Sequence, residues 1–300
     1  MQHQQYTLSG ISEIIGGQFV GHNEGALVTD LLIDSRQLVD AAHTLFFALT
    51  SVRNDGHRYI GELYEKGVRA FAVQHLPETT PSDASFIIVD DTLVALQTLA
   101  AHHRAQFSYP VIAITGSNGK TIVKEWLSQL LSPDYNIVRS PKSYNSQVGV
   151  PLSVWQMNEN HNLAIIEAGI SKPDEMSRLQ EIIQPTIGIF TNIGQAHDEN
   201  FINREQKAGE KLNLFKRVDT LIYCMDHPNI QQVLIRSGLT TTVKLFSWSR
   251  KSRECNLFVE AIEKEDKQTE ISCIFKEQNM RFSIPFSDDA SIENAIQCIA

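Results

Sequence analysis

The residues best suited to chemistry sit between Val111 and Thr121. Five strand-forming residues, Val111-Ile-Ala-Ile-Thr115, run into Gly116-Ser117-Asn118-Gly119 and then Lys120-Thr121. A strand, a glycine turn and a helix start, in that order, bring backbone N–H groups and the positive end of a helix to one spot, which suits an anion. Gly116 and Gly119 let the backbone approach it closely. Lys120 is expected to reach the outer phosphates of a nucleoside triphosphate, and the Thr121 hydroxyl to ligate Mg²⁺. The common phosphate-loop pattern has a small residue five places before its second glycine. Ile114 stands there, so the segment is a shorter variant, Thr-Gly-Ser-Asn-Gly-Lys-Thr. A glycine turn alone serves equally as a strand–helix connector; the Lys-Thr pair is what asks for an anion.

Other candidates are weaker one by one. Glu167 closes the apolar run Ala164-Ile-Ile, at the carboxyl end of a buried strand. In an open α/β sheet that edge lines the ligand crevice, and an acid there can hold Mg²⁺ or simply be solvated. Thr191-Asn-Ile-Gly-Gln-Ala-His197 repeats the arrangement with an imidazole, although a lone His is more often a packed or surface residue. Lys211, in Gly209-Glu-Lys-Leu-Asn-Leu-Phe215, reads by itself as a solvated helical lysine. Asp34-Ser35-Arg36 follows a strand and could face a diphosphate or a base, while Asp55-Gly56-His57 reads first as a turn.

The elements that must position these residues alternate between strand and helix. In the first hundred residues, Leu31–Ile33, Thr44–Leu49, Ala70–Val73 and Phe86–Val89 read as strands, and Tyr59–Lys66 as a helix ended by Gly67. A longer helix follows Asp91, with Leu93, Leu96, Ala100, His103 and Phe107 at three- and four-residue steps. A domain boundary is expected within Gln106–Tyr109. Beyond it, the helix from Lys120 should bury Val123, Trp126, Leu127, Leu130 and Leu131. The buried-looking strands Ala164–Ile166, Ile187–Thr191 and Leu221–Cys224, with helices between them, predict a parallel doubly wound sheet. Hairpin character follows at Leu257–Ile262, Ile271–Phe275 and Arg281–Ile284. The last helix, Ser291–Ala300, shows no cap or stop signal and reads as part of a truncated domain.

Composition sets limits. Three hundred residues suggest about two domains, and 42 % hydrophobic with 20 % charged residues is ordinary for a globular chain. A net charge of −9 argues against general binding to nucleic acid or a membrane surface. Cys224, Cys255, Cys273 and Cys298 lack metal or redox spacing and read as reduced thiols. Neither a signal peptide nor a membrane-length apolar run is evident, so cytoplasm is the expected compartment.

Taken together the motifs resemble the Mur ligase family of cell-wall ligases over essentially the whole chain. The likeness is carried by Ile33-Asp-Ser-Arg36, Leu45-Phe-Phe-Ala-Leu49 and Asp55-Gly-His57, then by Ile114–Thr121, Tyr144-Asn-Ser-Gln-Val-Gly-Val-Pro-Leu152, Glu167-Ala-Gly169, Thr191–His197 and Ser291-Ile-Glu-Asn294-Ala. The resemblance implies an α/β chain in two parts: an N-terminal α/β domain for a UDP-sugar-peptide (1–108), then a phosphate-loop, mostly parallel doubly wound ATP-binding domain with an antiparallel β extension (109–300). It also implies that the family's third, C-terminal domain belongs to the parent chain. The wording of Ser140–Pro151 is closest to the branch fused to an alanine racemase.

The implied activity is an ATP- and Mg²⁺-dependent amide ligase of peptidoglycan-precursor synthesis, with UDP-MurNAc-tripeptide and D-Ala-D-Ala as substrates. A tripeptide-stage ligase, a folylpolyglutamate-synthase-like ligase, and a binding module without turnover are the alternatives. By the same likeness Gly116, Ser117, Asn118, Gly119 and Lys120 bind ATP phosphates, Asn294 lies near the adenine, and Thr121 and Glu167 hold one Mg²⁺. His197 binds a second Mg²⁺, and Lys211 matches a lysine that several members carbamylate. Ser35, Arg36, Asn145 and Ser146 face the UDP-sugar. Two departures stand out: Ile122 where the family has a hydroxyl residue, and Asp289-Ala290 where a His-Asn pair often stands.

Overall fold

A computed structural model describes residues 6–52, 54–194 and 200–300. The described residues form two compact units. One comprises residues up to Phe107 together with Val154–Asn158; the other comprises Ser108–Ser153 and Glu159–Ala300.

In the first unit β1 (Tyr6–Thr7) pairs with β3 (Leu27–Val28), and α1 (Leu8–Ile15) lies between them in sequence. The main sheet is built from β2 (Gln18–Val20), β4 (Asp30–Leu32), β5 (Thr44–Phe47), β8 (Ala70–Val73) and β9 (Ser85–Ile88), in the order β2-β9-β8-β5-β4. All its pairings are parallel except that of β2 with β9. A small ribbon, β6 (Thr50–Ser51) with β7 (Asn54–Asp55), precedes α2 (Ile60–Glu65), and α3 (Thr92–Arg104) ends the run. Phe46, Phe71 and Phe86 are fully buried beside Leu32, Ile60 and Leu63. Burial of these rings and the aliphatic side chains around them stabilises the layer.

α3 is narrower than its periodicity suggested: it stops at Arg104, and Phe107 is buried beyond its end. Its His103 is almost fully buried and makes two bonds. The Met157 carbonyl can only accept, so Nε2 carries the proton (2.9 Å), and Nδ1 accepts from the Tyr6 hydroxyl (3.0 Å). Trp155 joins this group, its indole N–H donating to Thr29 O at 2.8 Å. That is how the segment Val154–Asn158 becomes part of the first unit.

The second unit is organised on one long sheet. Its strands are β10 (Val111–Thr115), β11 (Ile137–Arg139), β12 (Leu163–Glu167), β13 (Ile187–Phe190), β14 (Thr220–Cys224), β15 (Lys244–Ser249), β16 (Leu257–Lys264), β17 (Thr269–Phe275) and β18 (Gln278–Ile284). Their order is β11-β12-β10-β13-β14-β15-β16-β17-β18. Pairings are parallel from β11 through β16 and antiparallel from β16 to β18. The expected mostly parallel, doubly wound sheet with an antiparallel extension is what the chain adopts. The helices are α4 (Lys120–Leu131), α5 (Gly149–Val154), α6 (Glu175–Ile183), α7 (Arg204–Leu212), α8 (Pro228–Ser237) and α9 (Asp289–Ile299).

Several sequence expectations need correction. Of the α4 residues expected inside, Val123 and Leu127 are buried, but Leu130 is 54 % exposed and Trp126 is only partly covered, stacking on Phe286. One face of a twelve-residue helix contacts the sheet, and Leu130 lies off that face. α9 begins at Asp289, not Ser291, and it is capped: the Asp288 carboxylate accepts from Ser291 N–H at 2.9 Å. β15 was not anticipated. It lies between β14 and β16, and its Ser247 and Ser249 are buried.

Candidate functional site

Parallel register brings the candidate residues to one edge. Ile114 of β10 lies opposite Glu167 of β12, and Thr115 lies opposite Phe190 of β13. The three chains therefore leave the sheet together at its carboxyl end, where open α/β sheets hold ligands.

After Thr115 the backbone takes turns that need glycine. Gly116 has φ +150° and Gly119 has φ +83°. A Cβ on Gly116 would lie 1.9 Å from Thr191 Oγ1, and one on Gly119 would lie 2.2 Å from Asn294 Oδ1. The segment after β13 shapes the turn further. Thr191 Oγ1 donates to Asn118 O (2.6 Å), while Ser117 N–H and Asn118 N–H donate to Asn192 O (2.9 Å) and Asn192 Oδ1 (3.1 Å). Two of the turn amides expected to face phosphate are thus engaged by Asn192. The anion-seeking donors that remain belong to the first turn of α4, whose leading N–H groups have no acceptor within the helix. The Lys120 ammonium curls over the same turn, donating to Gly116 O (2.9 Å) and Ser117 O (3.3 Å). Burial pushes its pKa down, and the nearby Glu167 carboxylate opposes that shift.

Glu167 is almost fully buried and every part of it is held. Thr121 Oγ1 donates to Oε2 at 2.9 Å, Asn145 Nδ2 donates to Oε1 at 2.6 Å, and its own N–H donates to Ser140 Oγ at 3.0 Å. Among the described residues no group of three His, Cys, Asp or Glu gathers into a metal cage. One carboxylate touching one hydroxyl is what Mg²⁺ accepts, because it keeps several waters and takes its other ligands from phosphates. Thr121 and Glu167 therefore fit that ion.

Lys211 on α7 is buried and lines a cavity of about 320 Å³ with Gly116, Lys120, Asn145, Ser146 and Glu175. A second cavity of about 220 Å³ is lined by Ser117–Ile122, Ser143, Asn145 and Glu167. The expectation of a solvated lysine at 211 from local sequence does not survive. Burial first, then the positive charges of Lys120 and Lys207, drive its pKa down to about 7. Asn294 reaches the turn from α9, and Asp289, at a departure from the family pattern, pairs with Lys264 on the surface at 2.8 Å. Ile122, the other departure, is 45 % exposed. His197 lies outside the described residues.

Sequence reasoning missed two lysines. Lys124 on α4 is fully buried, and Lys207 on α7 is nearly so, donating to Gly194 O at 2.5 Å. Each lies four residues from a lysine already singled out, Lys120 and Lys211 respectively, so it shares that residue's helix face. That spacing was the available signal.

In the first unit, Ser35 and Arg36 line a separate groove of about 660 Å³ with Asp34, Asn54, Tyr59 and Glu62. The Arg36 guanidinium forks onto Asp34 (2.8 and 2.7 Å) and holds that carboxyl below its ordinary range. Asp55-Gly56-His57 is a structural knot. Gly56 packs on the Ala48–Leu49 backbone, and His57 Nε2 accepts Gln74 N–H at 3.0 Å. The proton is therefore on Nδ1, which donates to Asp55 Oδ1 at 2.7 Å.

A glycine turn at the head of α4, the buried Glu167 carboxylate held by Thr121 and Asn145, and a cavity lined by Lys120 and Lys211 thus meet at the carboxyl edge of a parallel sheet. Residues 114–300 match the Mur ligase middle domain, and the chain belongs to the Mur ligase family. It is 33 % identical over 229 residues to the UDP-N-acetylmuramoyl-tripeptide–D-alanyl-D-alanine ligase of Bacillus subtilis, covering 75 % of this chain and 50 % of that protein. In fold it resembles MurF from Acinetobacter baumannii, with a TM-score of 0.89 at 22 % identity, covering 100 % of this chain and 65 % of that one. It also resembles the MurF ligase from Thermotoga maritima in complex with ADP, with a TM-score of 0.78 at 20 % identity, covering 90 % and 61 %. The chain spans about half the length of the curated relatives it matches.

Proposed function

We propose that this chain supplies the ATP-binding and UDP-sugar-peptide-binding parts of an ATP-dependent amide ligase that joins D-Ala-D-Ala to UDP-MurNAc-tripeptide in the cytoplasm. The observation that carries the reading is the contact of Thr121 with Glu167 beside a glycine turn capped by Lys120. The names of the curated relatives supply the substrates. The ADP complex of the Thermotoga maritima structure supports nucleotide binding by residues 109–300, with residues 1–108 taking the UDP-sugar-peptide along the groove at Ser35 and Arg36.

The chemistry follows from charge. A carboxylate and ATP repel each other, so the site must neutralise charge before they can react. Mg²⁺ held by Thr121 and Glu167 would offset phosphoryl charge. In the same role, Lys120 leaves Gly116 O and Ser117 O for the transferring phosphoryl group. The peptide carboxylate attacks the γ-phosphorus and ADP leaves, giving an acyl phosphate. The D-Ala-D-Ala amine then attacks the acyl carbon, losing a proton and expelling phosphate. No side chain becomes covalently attached; the protein positions and neutralises.

Asn145, Ser146 and Lys211 line the cavity beside the turn, where the acceptor carboxyl would arrive. Asn294, against Gly119, takes the adenine side. His197 keeps the second-metal role implied by the family. With its pKa near 7, Lys211 offers neutral amine at physiological pH, which is the form that carbamylation by CO₂ requires.

The test has two parts. This chain should bind a fluorescent ADP analogue more tightly with Mg²⁺ than without. The ligase that contains it should release phosphate from ATP only when UDP-MurNAc-tripeptide and D-Ala-D-Ala are both present. Release with a folate and glutamate instead, or none with any pair, would overturn the reading.

A further inference from the structure

Lys124 is the least expected residue at the site, because an ammonium with no exposure at all is costly unless every donor is met. Its Nζ has three protons to place. It donates to Ser140 O at 2.8 Å and to Lys142 O, and it faces two carboxylates, Glu125 Oε1 at 3.2 Å and Glu167 Oε2 at 3.8 Å. Lys142 adopts φ +49°, a left-handed conformation uncommon for a side chain of this kind, at the point where its carbonyl meets the ammonium.

The loop that Lys124 grips is the one that builds the carboxylate site. Ser140 Oγ accepts the Glu167 N–H, Ser143 Oγ lies 3.3 Å from Thr121 Oγ1, and Asn145 donates to Glu167 Oε1. Lys124 also sits one helical turn from both Lys120 and Thr121, on α4 itself. A single buried cation therefore ties the phosphate-loop helix, the loop after β11 and the metal-binding carboxylate into one rigid unit.

We propose that Lys124 is a positioning residue for the metal: it locks Glu167 and the Ser140–Asn145 loop in the geometry that receives Mg²⁺ with the nucleotide. The inference rests on the phosphate-loop reading above and deepens it. Lys124 has no exposed surface to offer a ligand; it acts through Glu167. Groups that orient a metal ligand in this way typically govern metal affinity by ten- to a hundredfold.

The experiment is a Mg²⁺ titration of fluorescent-ADP binding to this chain, with Lys124→Met and Lys124→Gln compared with the parent. The glutamine variant retains a donor for the loop carbonyls and serves if the methionine variant does not fold. In a folded variant, metal-free nucleotide affinity should stay within about twofold, since the glycine turn and Lys120 are untouched. The Mg²⁺ concentration giving half of the metal-dependent gain should rise about tenfold or more. An unchanged Mg²⁺ requirement overturns the proposal. So does an equal loss of affinity with and without Mg²⁺, which would make Lys124 a general support of the loop, and so does failure of both variants to fold. If the parent chain shows no Mg²⁺-dependent binding, the phosphate-loop reading fails first, and the two failures are told apart.

Discussion

At the scale of single residues, the turn after β10 exists only because nothing projects from residue 116. A methyl group there would meet Thr191 Oγ1 at 1.9 Å, in a backbone region that L side chains rarely adopt. Gly116→Ala should therefore lower nucleotide affinity more than tenfold and destabilise the fold by about 1–3 kcal/mol. Gly25→Ala, whose added Cβ meets nothing within 4 Å, should leave both unchanged. Nucleotide titration and thermal melts of the two variants check this; equal behaviour would mean that the turn is not built as described. The glycines, Lys120 and Thr121 were legible because their types and spacing are local. Lys124 and Lys207 were not, because a lysine in a helix looks solvated until its partners on other strands are known. Glu167 lay between: its strand was readable, but its bonds to Thr121, Asn145 and Ser140 come from two other segments, α4 and the loop after β11.

At the scale of elements, α9 shows how a short helix can serve the site from outside the phosphate loop. It buries Ile292 and Ile296 against Trp248 and Leu257, and Gln297 Oε1 accepts the Trp248 indole N–H at 2.8 Å. That packing aims Asn294 at Gly119. The helix is started by the exposed Asp288, so Asp288→Ala should cost about 1 kcal/mol in chemical denaturation. Nucleotide affinity should fall by less than threefold, since burial still fixes the helix; a loss as large as that of Gly116→Ala would show that the cap sets the position of Asn294. β15 escaped the sequence reading for a related reason. In Lys244-Leu-Phe-Ser-Trp-Ser249 the serines look like surface positions, yet Ser249 Oγ donates to Asp226 Oδ1 (2.5 Å) and Ser247 Oγ to Asn256 Oδ1 (3.4 Å). Hydrogen bonding lets polar residues occupy a strand interior that pattern analysis reserves for apolar ones.

At the scale of the whole molecule, an acidic chain of net charge −9 lines one cavity with Lys120 and Lys211, and the buried Lys207 adds its charge to theirs. Net charge therefore described the surface and not the site. The first unit carries a pH signature of its own. Burial drives the His103 pKa down from 6.5 to about 4. Between those values the unfolded chain binds the proton and the folded chain does not, so stability is complete above pH 6.5 and declines as pH falls toward 4. Denaturation curves of the parent should show that slope, and His103→Phe should flatten it, at the expense of the Tyr6 and Met157 bonds. A slope equal in parent and variant would assign it to other groups.

Several features followed from short-range order in the chain: the alternation of strand and helix, the parallel sheet with its antiparallel extension, the glycine turn before α4 and the family. Each depends on residues within a few positions of one another, where spacing translates directly into backbone geometry. Only the tertiary structure decided that Val154–Asn158 joins the first unit, that Asn192 takes two of the turn amides, and that Lys120 and Lys211 line one cavity. Those outcomes depend on which distant strands become neighbours. Burial then changes the chemistry of the same side chains: Lys211 becomes an amine titrating near pH 7, and Lys124 becomes a buried brace for Glu167.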